Sequence, residues 1–302
     1  MWLASRLGPL ALALSVAGCD GGSEPSPSPT PDIPLGPVPV LVSPAEGTQA
    51  NGDSPTFTAR NAIGYDIGQA QYTFRLMTRS GAREIATSTV PAGRHDTSAT
   101  FAGGLPRGMH LTWTVTAKSA TAEVASAVGS FRTVSVACLS GRDNFAKSVV
   151  DWHVPPCSLA ENHYNDPNQV LGPPNAGGMG PDSFFGFMSL GDDGYVTVDM
   201  ETCAVDEPGT DVRVYQSVAR EPVTLWAAGS PTGPFQLLQS KVPCGGRVPG
   251  VFSRDCEFDL ADAEVDEARY FKIEDGENYP CPGDTVTEGA DIDAIEVLHP
   301  KP

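Results

Sequence analysis

Seven cysteines and five histidines are the side chains of this sequence most able to do covalent or metal chemistry. Six of the cysteines, Cys138, Cys157, Cys203, Cys244, Cys256 and Cys281, fall after residue 137. Structural zinc takes cysteine or histidine ligands in close pairs, and no C-x₂₋₄-C occurs here. An even set confined to one half of a chain fits a disulfide framework instead, which forms in an oxidising compartment. Cys244 and Cys256 are spaced like the two arms of one hairpin; Cys138–Cys157 and Cys203–Cys281 are the next pairings to consider. The histidines, at 95, 110, 153, 163 and 299, sit in no catalytic motif. Asp151-Trp-His153 and Glu161-Asn-His163 place an acid near an imidazole, but there is no Gly-x-Ser-x-Gly elbow, His-Glu-x-x-His helix or phosphate-cradling loop. An enzyme is therefore not expected. Aromatic side chains between the strands, Trp152, His153, Tyr164, Phe184, Phe185 and Phe187, offer ring faces on which a pyranose stacks, although the phenylalanines suit a sandwich core equally well.

The elements that position these groups must come from 302 residues, about two domains by length. A hydrophobic content of 40% is enough for sizeable cores. Nineteen basic against 37 acidic residues leave a formal charge of −18. That charge excludes a phosphate-backbone partner, which needs Lys and Arg to release counterions, so no nucleic acid is expected. It equally excludes electrostatic docking on anionic lipid.

At the N-terminus, Arg6 precedes the apolar run Leu7–Ala17, too short for a bilayer span of ~20 residues but right for the core of a signal peptide. The run ends Val16-Ala17-Gly18-Cys19, which resembles the lipobox of bacterial lipoproteins. The resemblance implies a signal over residues 1–18, cleavage before Cys19, and lipidation of Cys19 as the route to the membrane. Several acyl chains at ~0.8 kcal/mol per buried methylene make a firm anchor. Residues 19–37 follow with alternating Ser-Pro and Thr-Pro, a composition that favours extended polyproline II. At ~3.1 Å per residue it holds a domain up to ~60 Å from the lipid. Asp20 resembles an inner-membrane retention signal of enteric bacteria, but other bacteria sort lipoproteins differently. The expected location is the bacterial cell envelope, at the outer membrane or cell surface rather than the inner membrane.

Residues 38–135 read as a first domain. Tyr72, Phe74 and Leu76 alternate with Thr73 and Arg75, and Leu111, Trp113 and Val115 alternate with Thr112, Thr114 and Thr116. Period-two alternation marks half-buried antiparallel strands. Asn51-Gly52-Asp53, Arg79-Ser80-Gly81 and Ala102-Gly103-Gly104 punctuate them as turns. About seven strands in ~100 residues make a β-sandwich. Leu105-Pro-Arg-Gly108, the strand Leu111–Ala117 and the closing Gly129-Ser-Phe-Arg-Thr133 resemble a fibronectin type III domain. The family often has Tyr where this chain has Leu111. Such a domain is expected to act as a spacer between tether and working module.

Residues 137–299 form the second domain, loop-rich over 138–190. Strands are then expected at Tyr195–Met200, Asp211–Tyr215, Val223–Trp226, Phe235–Leu238, Ala268–Ile273 and Asp291–Leu298, with one helical turn over Glu264–Glu267. Val223–Leu238, Ala268–Ile273 and Asp291–Val297 resemble the galactose-binding-like jelly roll of discoidin domains and carbohydrate-binding modules. Tyr164-Asn-Asp-Pro167, Leu171-Gly-Pro-Pro174 and Ser189-Leu-Gly-Asp-Asp-Gly194 resemble segments of uncharacterised bacterial cell-surface proteins. The fold class expected is thus all-β, two sandwiches in series. In the resembled fold a structural calcium often sits where an early loop meets the last strand. Here that implies Asp166, Asn168, Asp291, Asp293 and Glu296 as oxygen ligands of calcium; the alternative is that Asp166 caps its own turn and the C-terminal acids are solvated. The resemblance also implies a carbohydrate-recognising module, with Trp152, His153, Tyr164 and Phe185 as candidate contacts. The other reading is a structural or protein-interaction component of the envelope with a protein partner and no small ligand; a hydrolase is a distant third.

Overall fold

The computed structural model describes residues 37–65, 68–155, 164–177, 185–191, 193–217, 221–247, 253–276 and 289–302. The signal, Cys19, the tether to residue 36, Phe184, Cys157 and Cys281 lie outside the described residues. Among the described residues the regular structure is all strand apart from two 3-10 turns. The protein is all-β and built from sandwiches.

The first half contributes β1 (Val40–Ser43), β2 (Thr48–Gln49), β3 (Phe57–Arg60), β4 (Ala70–Thr78), β5 (Glu84–Pro91), β6 (Asp96–Ala99), β7 (His110–Ser119), β8 (Glu123–Ala125) and β9 (Gly129–Arg132). They form one sheet in the order β1-β3-β6 and another in the order β2-β9-β7-β4-β5, with β8 added to β7. The alternation in β4 and β7 sends Tyr72, Phe74, Leu76, Leu111, Trp113 and Val115 into the core. Phe57 lies edge-on to Phe101, Trp113 and Phe131, each centroid 5.2 Å away, and Phe74 stacks on Trp113 at 6.4 Å. Such aromatic pairs are worth ~0.5–1.5 kcal/mol beyond their burial. Leu111 simply packs in the core. Tyr72 ties down the stretch after β3, its hydroxyl accepting from Ala62 N and donating to Tyr65 O.

The second half contributes β10 (Ser148–His153), β11 (Met188–Ser189), β12 (Tyr195–Val205), β13 (Val212–Ser217), β14 (Pro222–Ala228), β15 (Gln236–Pro243), β16 (Gly246–Arg247), β17 (Ser253–Phe258), β18 (Glu267–Asp275) and β19 (Asp291–Val297). One sheet runs β10-β12-β18-β14-β15 and the other β11-β19-β13-β17-β16. Val196, Val198, Leu225, Phe271 and Ile273 from the first, and Val212, Val214, Ile292 and Ile295 from the second, are fully buried between them.

The loop-rich stretch 138–190 contributes β10 and β11, which edge the two sheets. Two expectations are corrected. The helical turn lies at Leu260–Ala263, capped by Asp259, rather than at Glu264–Glu267; Glu264 is left-handed at φ 54° and Glu267 already starts β18. Cys138 pairs with Cys203, not Cys157, which removes Cys203–Cys281 as well. The cause is tertiary: Leu139 N donates to Glu201 O, so the chain leaving the first sandwich runs beside the end of β12. Cys244–Cys256 forms as expected, its halves on β17 and just beyond β15.

The sandwiches are joined side by side as well as end to end. The Gly108 carbonyl accepts from both Asp266 N (2.8 Å) and Glu267 N (3.0 Å), and Met109 bridges Val265. Glu264 accepts from Ser80 N at 2.7 Å and Ser80 Oγ at 2.6 Å, and Arg83 Nη2 donates to Ala263 O. Gly108 has φ +70°, and a Cβ there would lie 2.4 Å from the Glu267 carbonyl oxygen. Both the left-handed backbone and the close approach require glycine. Gly108→Ala is expected to cost more than about 1 kcal/mol and to lower the thermal midpoint, measured by calorimetry; an unchanged midpoint would show that this junction contributes nothing.

Candidate functional site

The most polar buried place in the second sandwich arises from register. Ser189 on β11 pairs with Asp291 on β19, and Ser217 on β13 pairs with Ser253 on β17. Gln216 lies opposite Ile292, which brings Ser217 opposite Asp291. Directly opposed residues share a face, so four oxygen-bearing side chains form one row across β11-β19-β13-β17, at steps of ~4.8 Å. Ser189 and Ser253 are fully buried, Ser217 is 1% exposed and Asp291 8%.

Asp293 joins the row through a β-bulge. The register of β19 against β13 slips between Tyr215↔Ala294 and Gln216↔Ile292, and Asp293 is the extra residue. A bulge re-aims its side chain. Asp293 accepts from Asn175 N at 2.9 Å, Ala176 N at 3.1 Å and Ser253 Oγ, so the 164–177 loop is fastened over this end of the sheet. Burial raises the Asp293 pKa, and these three donors hold the rise down.

Asp291 has no such compensation. Burial pushes its pKa up to about 7, opposed only slightly by the neighbouring Ser189 hydroxyl. Ser189 Oγ and Asp291 Oδ1 stand close, yet neither completes a well-formed hydrogen bond, and Ser217 Oγ is equally without a partner among the described residues. Buried polar atoms are nearly always satisfied, and one left bare costs about 1–3 kcal/mol. An all-oxygen set with bare lone pairs suits a proton on the carboxyl or a hard cation. No sequence signal marks Ser189, Ser217 or Ser253; each ends a short strand, and only the register lines them up.

The other expected ligands have partners of their own. Asp166 caps the 3-10 turn Pro167–Val170 as the turn reading anticipated, its carboxylate accepting from Asn168 N, Asn168 Nδ2 and Gln169 Nε2. Asp166 and Asn168 thus satisfy one another. Glu296 accepts from Tyr215 Oη at 2.6 Å and lies 4.0 Å from Arg213, within an ion network that includes Glu257. Of the five expected ligands, Asp291 and Asp293 lie in the buried row with the serines, and Asp166, Asn168 and Glu296 are engaged by other partners.

A second acidic group, Asp206, Asp211 and Asp259, brings one carboxylate oxygen from each within 4.8 Å of the others. Its central member is already satisfied: Asp211 Oδ1 accepts from Glu207 N and meets His299 Nδ1 at 2.9 Å, and Oδ2 accepts from Leu260 N. Burial and the neighbouring Asp211 and Asp259 raise the Asp206 pKa. The group works as a cap for the 259–263 turn.

The candidate aromatic contacts do not converge. Trp152 is 42% exposed and Phe185 60%. His153 tilts against Tyr195 with centroids 6.1 Å apart, and Tyr164 stacks on buried Phe187 at 4.8 Å. Trp152 and His153 are consecutive on β10 and point to opposite faces.

No protein-family model and no curated protein matches the sequence. Among solved structures the chain is similar to the crystal structure of CBD12 from CALX1.2, at 8% identity over 80% of this chain and 76% of that chain, with a TM-score of 0.24. So loose a superposition carries no argument, and the sandwich architecture rests on the strands themselves.

The buried row has a pH signature. Asp291 titrates near 7 folded against about 4 unfolded, so the folded state holds an extra proton between those values. Its contribution is intact below about pH 4 and is lost as pH rises towards 7. In chelator, unfolding free energy should fall across that window by an amount on the order of a few kcal/mol. Asp291→Asn should flatten the profile; an unchanged slope in urea titrations would rule the row out as its source.

Proposed function

We propose that this chain is an exported, lipid-anchored envelope protein whose second sandwich recognises carbohydrate. The observation that carries the reading is Trp152: a large aromatic left 42% exposed on edge strand β10, flanked by exposed Asp151 and His153. An exposed indole beside hydrogen-bonding side chains is the chemistry a pyranose needs, an apolar C–H face for the ring and acceptors for its hydroxyls. The lipobox-like Val16-Ala17-Gly18-Cys19 and the Pro-rich stretch after it supply the anchor and tether of this proposal, and disulfides between Cys138 and Cys203 and between Cys244 and Cys256 suit an oxidising location.

The three-strand β1-β3-β6 sheet facing a β9-β7-β4-β5 sheet supports the fibronectin-like reading of the first sandwich, and the docked junction supports its role as a rigid spacer. The galactose-binding-like reading of the second is supported by its two five-stranded sheets. Calcium enters the proposal at the buried row. Bare Asp291 Oδ1, Ser189 Oγ and Ser217 Oγ, with Asp293 beside them, fit a hard cation, which would supply charge neutralisation and hold the loop over the sheet.

Binding of the mature chain to an array of glycans, in calcium and in EGTA, tests this reading. Expected are hits that weaken in Trp152→Ala, a thermal midpoint raised by calcium in the wild type but not in Asp291→Asn, and loss of membrane partitioning in Cys19→Ser. An array without hits would turn the reading towards a protein partner.

A further inference from the structure

The face of β10-β12-β18-β14 that points away from the core carries an ordered set of side chains. His153 lies opposite Tyr195, which lies opposite Glu274; one step along the strands, Asp151 and Lys272 flank Thr197, and Lys272 lies opposite Trp226. The residues alternating with them, among them Val196, Val198, Phe271, Ile273 and Leu225, fill the core. Nothing in this arrangement is left to chance rotamers. Tyr195 Oη donates to Asp151 Oδ2 at 2.9 Å, and Trp226 Nε1 donates to Glu274 Oε2 at 2.6 Å. Lys272 Nζ pairs with the other oxygen of Glu274 at 2.5 Å and stands 4.3 Å from the centre of the Tyr195 ring.

The Trp226 bond runs diagonally from β14 to the neighbouring strand β18 and ties the indole to Glu274. Trp226 is only half-buried. Beside it on β18, Glu274 carries acceptors and Lys272 a donor, and Asp151 adds a carboxylate at the far edge of the same face on β10.

We propose that this outward face is a binding site for a neutral polysaccharide, with Trp226 as the stacking platform and Asp151, Lys272 and Glu274 as the groups that read hydroxyls. The inference rests on the carbohydrate reading above and extends its site from Trp152 on the edge strand to the sheet face. A sugar presents an apolar C–H face and a rim of hydroxyls, which matches a flat ring bordered by fixed acceptors and one donor. The set spans four strands, each ~4.8 Å from the next, so it suits an extended chain rather than a small enclosed ligand. Two carboxylates against one ammonium, in a chain of net charge −18, repel an acidic glycan. A protein partner is disfavoured because interface cores are depleted of charged residues, whereas Lys272 and Glu274 sit beside the ring and Asp151 shares its face. Locked side chains lose little entropy on binding, which favours recognition.

The test is calorimetric titration of the mature chain with cello-, xylo-, manno- and chito-oligosaccharides, with polygalacturonate as the acidic control. At least one neutral series is expected to bind, more tightly as its chains lengthen. Trp226→Ala should weaken binding about tenfold or more, the scale of an aromatic hot spot, whereas Trp226→Phe should retain most of it. Lys272→Ala should also weaken it. Should Trp226→Ala not fold, Trp152→Phe serves instead: Trp113 is buried, so bound oligosaccharide should shield Trp226 from acrylamide quenching. Binding that survives Trp226→Ala and Lys272→Ala but is lost in Trp152→Ala overturns this site and leaves the carbohydrate function standing. Binding of polygalacturonate alone overturns the neutral class. No binding by any glycan overturns both.

Discussion

Strand β18 is held from outside its own sandwich, and the rest of the second half is arranged around it. Its first residues hydrogen-bond to the Gly108 carbonyl of the first sandwich, where only glycine fits both the backbone angle and the space. From that fixed start β18 runs through the middle of its sheet, pairing β12 on one side and β14 on the other. Its inward residues Phe271 and Ile273 fill the core, and its outward residues Lys272 and Glu274 organise the polar face. A shift of one residue would exchange these two sets. The junction therefore ties the start of this central strand to the first sandwich.

The two sheets of the second sandwich treat polar groups in opposite ways. On the outward face of β10-β12-β18-β14, Asp151, Tyr195, Trp226, Lys272 and Glu274 all have partners and retain access to solvent. On β11-β19-β13-β17, the serine and aspartate row is buried with three oxygens bare. In a low-dielectric place a bare carboxylate is costly, which is why the proton stays on Asp291 to near neutral pH or a cation must replace it. Open but satisfied side chains suit reversible recognition; buried and unsatisfied ones suit a tightly held ion. One sandwich thus carries a satisfied, solvent-accessible polar face on one sheet and a buried, unsatisfied polar row on the other.

Much of the architecture was legible because it depends on local rules. The alternation of Tyr72, Phe74 and Leu76, and of Leu111, Trp113 and Val115, reports a half-buried strand wherever it occurs. The turn at Asp166-Pro167 was legible for the same reason, since Asx capping involves neighbours in the chain. Strand β10 escaped notice because it lies at a sheet edge, where Ser148–His153 is mostly exposed and shows no apolar alternation. The Cys138–Cys203 bond escaped because spacing along the chain says nothing about which strand end a linker passes.

Composition and order alone determined an acidic chain with no catalytic motif, a lipobox-like start, a Pro-rich stretch and two runs of strands. Each follows from residue type or from neighbours a few positions apart. Tertiary structure alone decided the disulfide partners, the row of Ser189, Asp291, Ser217 and Ser253, the engagement of Glu296 with Tyr215, and the meeting of Trp226 with Glu274. These contacts join residues tens of positions apart, and they depend on strand register and on a single bulge at Asp293. Register is set by the packing of the whole sandwich, so no local segment carries enough information to specify it.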